Sequence, residues 1–124
     1  MGIEYKIDVE AGVIFAVGSE IIGAKEIAAF RERLISDPHY RPGLFGIIDL
    51  QMAQLNFSGA EARQLASWAA NKKPVKKLAI VVGSDSYGFA RMYQGWAERG
   101  QDLCVFNDME SAREWLGLQI EDDP

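Results

Sequence analysis

The chain is poor in the residues that most often carry chemistry, with one cysteine and one histidine among 124 residues. A lone cysteine excludes an intramolecular disulfide framework. Cys104, set among Leu103, Val105 and Phe106, reads as a strand residue of a protein from a reducing compartment, and a cytoplasmic location is expected. His39 lies in a proline-bounded turn, at the opposite expected end of the sheet from Cys104, so neither a Cys-His pair nor a metal-ligand set is available. No cofactor and no metal is expected. Basic residues are the minority, 13 against 18 acidic, and a net charge of -5 argues against general nucleic-acid binding, which runs on phosphate neutralisation. No apolar run approaches the ~20 residues that span a bilayer, and none is flanked like a signal peptide. Internal repeats, low-complexity segments and interdomain linkers are also missing.

Hydrophobic residues make up 48% of the chain, enough for one core, so residues 1–124 are expected to form a single domain. The segment 77–96 organises the rest. Leu78 to Val82 is an unbroken apolar run rich in β-branched residues, the pattern of a strand covered on both faces. Gly83 ends it, and one of Ser84, Asp85 and Ser86 is expected to cap the helix that follows. Phe89, Met92, Tyr93 and Trp96 then recur at i, i+3, i+4 and i+7 on one helical face.

Upstream, Ile3, Tyr5, Ile7 and Val9 alternate with polar residues as in a half-exposed strand. The turn Glu10-Ala11-Gly12 leads into a more buried strand over 12–18, which predicts an antiparallel hairpin. A helix is expected from Ala24 to about Ser36, with Ile27, Phe30, Leu34 and Ile35 on its apolar face; Pro38, Pro42 and Gly43 stop it. Phe45 to Leu50 reads as the third strand and 51–57 as a connection that could hold a short extended piece. Ser58 and Glu61 have capping-box spacing ahead of a helix with Ala62, Leu65, Ala66 and Ala69 on one face. Pro74 closes that helix, Leu103 to Phe106 is a fifth strand, Met109 to Leu116 a last helix, and 121–124 an acidic tail. Alternating strands and helices with short connections imply parallel pairing. The fold class is therefore α/β, a five-stranded mixed sheet in which an N-terminal antiparallel hairpin precedes parallel βα units with about four helices.

With Ile47-Ile48-Asp49-Leu50 leading to Ser58-Gly59, and Ala79-Ile80-Val81-Val82 leading to Phe89-Ala90-Arg91-Met92-Tyr93, this order resembles the SpoIIAA-like, STAS-type family over nearly the whole chain. The later Val105-Phe106 and the helix after Glu110 resemble its uncharacterised bacterial branch. In anti-sigma-factor antagonists of that fold, a Leu-Asp-Leu strand end is followed by Asp-Ser-Ser-Gly, whose first serine a partner kinase phosphorylates. Ser58 stands in that serine's place, with Phe57 instead of the aspartate and no second serine. The resemblance makes Ser58 a phospho-acceptor candidate; a helix cap explains it equally without any partner. The branch is also similar in shape to CRAL-TRIO lipid carriers, which implies an apolar ligand site between helices and contact with membranes.

Two groups remain as site candidates. Asp49, Ser84, Asp85 and Ser86, near the carboxyl ends of the strands, could form a polar pocket. The glycine pattern fits neither a phosphate-cradling loop nor a dinucleotide fingerprint, and caps or turns account for these residues as well. Phe57, Leu65, Trp68, Phe89, Met92, Tyr93 and Trp96 could line an apolar groove between the second and third helices, or be ordinary core. Lys72, Lys73, Lys76 and Lys77 form the one basic cluster, suited to anionic headgroups or to plain solvation. No nucleophile-base pair emerges, so no enzymatic activity is expected. The leading expectation is a STAS-like regulatory or protein-interaction domain with a protein partner or a second copy of itself. The alternative is a binder of a small hydrophobic ligand or lipid with transient membrane association.

Overall fold

The computed structural model describes residues 2–72, 74–97 and 102–118, without the side chains at 70, 96 and 97. The elements run β1 (Gly2–Asp8), β2 (Val13–Ile22), α1 (Ala24–Ile35), β3 (Phe45–Leu55), α2 (Gly59–Lys72), β4 (Lys77–Val82), α3 (Ser84–Ala97), β5 (Asp102–Phe106) and α4 (Met109–Leu116). The five strands form one sheet in sequence order. β1 and β2 are antiparallel, from Gly2 opposite Ser19 to Asp8 opposite Val13, and every later pair is parallel. The hairpin turns on Gly12, whose φ of 72° suits a residue without a side chain and whose N–H donates to the Asp8 carbonyl at 2.8 Å.

Successive parallel strands laid down in one direction, joined by right-handed crossovers, put α1, α2 and α3 on the same face of the sheet. Their buried residues Phe30, Leu34, Ala66 and Ala90 pack on Ile14, Ala16, Leu50, Ile80, Val82, Leu103 and Val105. The alternate residues Val13, Ile47, Ala79 and Val81 point to the opposite face, where Ala112 and Leu116 of α4 cover them. β4 therefore has helices on both sides, which is why its apolar run does not alternate: Ala79, Ile80, Val81 and Val82 are all buried.

Three expectations need correcting. β2 and β3 continue to Ile22 and Leu55, where shorter strands and connections were expected. The register steps from Val17 opposite Asp49 to Ser19 opposite Met52, so β3 carries one residue more than β2 in this stretch. This bulge reverses the in-out phase of β3. Leu50 faces the three-helix side, and beyond the bulge it is Ala53 and Leu55 that return to it. Second, α3 starts at Ser84, which puts the capping position on Gly83 and makes Ser84, Asp85 and Ser86 its first turn. Third, Ile35 of α1 is 44% exposed, and the position on the apolar face is taken by Arg31.

The other caps follow the sequence. Ser58 Oγ accepts from Glu61 N–H at 3.1 Å while Glu61 Oε1 accepts from Ser58 N–H at 2.9 Å, a reciprocal box that starts α2. Asp108 caps α4 by accepting from Ser111 N–H at 2.7 Å, and Gly117, with φ 77°, ends it. Lys73 and the tail at 121–124 lie outside the described residues.

Candidate functional site

The helices on the shared face do not close completely over the sheet. Between α1, α2, α3 and strands β3 and β4 lies a cavity of about 100 Å³. Ile27, Phe30 and Leu34 wall it from α1, Leu65, Trp68 and Ala69 from α2, Phe89, Ala90 and Tyr93 from α3, and Ile48, Leu50, Leu55, Leu78, Ile80 and Val82 from the sheet. Phe57, on the approach to α2, meets Phe89 in a tilted contact, with ring centroids 5.4 Å apart, and joins the wall. Gly46 lets Leu78 and Val75 close in on β3, since a Cβ there would stand 3.1 Å from Leu78 Cδ1 and 3.4 Å from Val75 Cγ1.

Five of the seven residues expected to line an apolar groove, Phe57, Leu65, Trp68, Phe89 and Tyr93, are on this wall. Met92 is not. It is 53% exposed and lies beside Gly59, Ala60 and Arg63 on the outer surface. The Trp96 side chain is outside the description. The space is also wider than a two-helix groove, because α1 supplies a third wall.

Only three side chains of the wall carry polar atoms: Arg31, Tyr93 and the Trp68 indole. Arg31 Nη2 donates to Tyr93 Oη at 2.9 Å, and its guanidinium carbon lies 4.4 Å from the centroid of the Trp68 ring. The three residues come from three different helices. Loss of water lowers the Arg31 pKa from its ordinary value and raises that of Tyr93, with each group partly offsetting the shift of the other. Sequence reading missed Arg31. The signal was nonetheless present: Ile27, Phe30, Arg31 and Leu34 follow i, i+3, i+4, i+7, so a cation occupies an apolar stripe.

The polar candidates are arranged differently. Asp49 Oδ1 accepts from Gln51 N–H at 3.0 Å, and its pairing with Val17 and Val81 places it on the α4 side of the sheet, away from the cavity. Ser84 and Asp85 are exposed and Ser86 half-buried at the start of α3, and neither the apolar cavity nor the dip beside Met92 includes any of the four. Ser58 is exposed and engaged in its cap. Of the basic cluster, Lys72 and Lys76 are exposed, whereas Lys77 Nζ donates to the Trp115 carbonyl at 3.2 Å and lies 4.2 Å from its ring centroid, tying β4 to α4. Among the described residues no helix is long and apolar enough to cross a membrane, and no group of three or more His, Cys, Asp or Glu residues is placed to hold a metal ion.

Comparison with known proteins places the architecture. No protein-family model matches the chain, and no curated protein matches it either. A solved structure does: an uncharacterised DUF3478-family protein with a SpoIIAA-like fold from Shewanella loihica PV-4 aligns with a TM-score of 0.60 over 93% of this chain and 94% of its own, at 16% identity. The chain has the SpoIIAA-like fold. At this identity the likeness establishes the mixed sheet and its helices, and the cavity's chemistry has to be argued from this chain's own residues.

Proposed function

We propose that the protein binds a small hydrophobic ligand in the cavity beneath α1, α2 and α3, as a carrier or sensor that does not transform what it holds. The observation that carries this reading is the wall itself: an unfilled, almost wholly apolar space in a core that close packing would ordinarily fill. Non-catalytic binding is favoured by the wall's side chains, which include no carboxylate, histidine, serine or cysteine. Size narrows the ligand. Engineered apolar cavities of ~150 Å³ admit benzene, so about 100 Å³ fits a short aliphatic or branched group unless the helices move apart.

A thermal-shift screen of short aliphatic and aromatic compounds tests it. At least one should raise the melting temperature of the wild type and fail to do so in Ala69→Leu or Ala90→Leu, which fill the cavity from α2 and α3. Ligands that stabilise the filled variants equally, or a screen without a stabilising compound, would refute the reading.

A regulatory or protein-interaction role has one observation in its favour. Val17, Ile21 and Met52 are 52%, 58% and 79% exposed on either side of the bulge between β2 and β3, an apolar strip that a protein partner or a second copy could cover. Concentration-dependent sedimentation of wild type against Met52→Lys tests self-association.

A further inference from the structure

We infer that the ligand is a small apolar carboxylate, with its tail in the cavity and its carboxylate on Arg31 and Tyr93. This inference rests on the ligand reading above and names the head group. Three observations carry it. Arg31 is the single charged side chain of the wall. Among the described residues no carboxylate is within ion-pair distance of it, although the chain carries 18 acidic residues. Its neighbours one helical turn away, Ile27, Ala28, Leu34 and Ile35, include no acid either.

The unused hydrogen-bonding capacity points the same way. A guanidinium has five N–H donors, and among the described residues one of them is engaged, through Tyr93. Trp68 sits against the guanidinium carbon without taking a hydrogen bond from it, so N–H donors stay open to an incoming planar anion. Because Tyr93 Oη accepts from Arg31, its own proton is available to donate to the same anion. Arg31 and Tyr93 are half-buried, as are Ile27, Phe57, Trp68 and Phe89, whereas Leu65, Ala69, Val82 and Ala90 are buried, so the polar pair belongs to the part of the wall nearer solvent. An amphiphile entering tail first would bring its head to that pair. A partly desolvated cation without a counter-ion is costly in the empty protein, and an anionic head group repays that cost on binding.

Four unbranched six-carbon ligands with different heads test the assignment: hexanoate, hexan-1-ol, hexylammonium and hexyl phosphate, titrated calorimetrically into wild type, Arg31→Met, Arg31→Lys and Tyr93→Phe. The expected result is that hexanoate binds wild type about tenfold or more tighter than hexan-1-ol, that hexylammonium binds weakest, and that Arg31→Met removes the preference. Arg31→Lys should keep part of it, having the charge without the planar fork. Tyr93→Phe should weaken hexanoate and leave hexan-1-ol unchanged. If hexanoate and hexan-1-ol bind wild type equally, the head-group assignment is overturned while the apolar-ligand reading stands. If none of the four binds, both fall. Tighter binding of hexyl phosphate than of hexanoate would replace the carboxylate with a tetrahedral anion and overturn this version.

Discussion

The Trp68 ring lies against the guanidinium of Arg31, 4.4 Å from ring centroid to guanidinium carbon, at a point where α1 and α2 both border the apolar cavity. Cation and ring shield each other from water, and without a carboxylate to complete the arrangement the pair leaves charge partly desolvated. The stability of the empty protein should reflect that.

Arg31→Met keeps the length of the side chain, extends the apolar wall and removes the cation. It forfeits a hydrogen bond to Tyr93 and a cation-π contact, each worth about 1 kcal/mol, against a desolvation cost of several. The ligand-free variant is expected to be more stable than wild type by on the order of 1 kcal/mol, read as a higher urea midpoint at unchanged m-value. A variant markedly less stable than wild type would mean that Arg31 is a structural strut.

Alkaline pH should weaken the fold through its phenols. Tyr5, Tyr40 and Tyr93 all titrate above the ordinary tyrosine value, chiefly because folding takes their rings out of water; at Tyr5, a hydrogen bond to Asp37 at 2.7 Å adds to the effect. A folded-state value raised above the unfolded one gives stability that is complete below about pH 10 and is lost as pH rises through the folded value. Arg31, lowered from its ordinary value but charged throughout the accessible range, adds a constant cost and no slope. The urea midpoint should therefore show no tyrosine-dependent change between pH 8 and pH 9.5 and fall steeply above about pH 10, with Tyr93→Phe making the fall shallower. An unaltered fall in that variant would assign the effect to the other two tyrosines.

At the start of α2, Ser58 and Glu61 satisfy two N–H groups between them. Ser58→Ala should cost about 1 kcal/mol and Ser58→Asp close to nothing, since a carboxylate accepts at the same position and favours a helix N-terminus. Chemical denaturation of the three proteins gives the order. Should Ser58→Ala equal wild type, the cap is not what holds serine there, and the phospho-acceptor reading gains weight.

Gly18 faces Leu50 across the strand pair, and a Cβ on it would fall 2.6 Å from Leu50 Cδ2, with Ile3 and Ile22 atoms at 3.5 and 3.6 Å. Gly18→Ala is expected to destabilise by ~1–3 kcal/mol as Leu50 is forced from its place. Because Leu50 borders the cavity, the same change should weaken binding of any ligand that fills it. The pair of measurements is a denaturation midpoint and a calorimetric titration.

Much of this architecture was legible in the chain, and the exceptions have physical causes. The span of α4, Met109 to Leu116, was read from the chain, and the buried run before Gly83 announced β4. The outer half of β3 was hidden because apolar residues fall at Leu50, Met52, Ala53 and Leu55, a pattern that alternates only if one residue is discounted, as the bulge does. Most of the cavity's aromatics were visible as helical stripes on α2 and α3. Arg31 was passed over because a charge is assigned to the solvent side by default; only the packing of α1 against two other helices turns it inward. Nothing in a linear pattern distinguishes a filled core from an unfilled one. The existence of the cavity therefore had to come from three dimensions.

Gly46 admits Leu78 and Val75 into the space that its own side chain would take, while Arg31 and Tyr93 reach the cavity from helices α1 and α3. On the ligand reading proposed above, tail length would answer to β3 and β4 and head-group charge to α1 and α3, so that the two traits could change separately. Gly46→Ala, in which Leu78 Cδ1 must give way by a few tenths of an ångström, would shorten the preferred tail while leaving the choice between acid and alcohol intact.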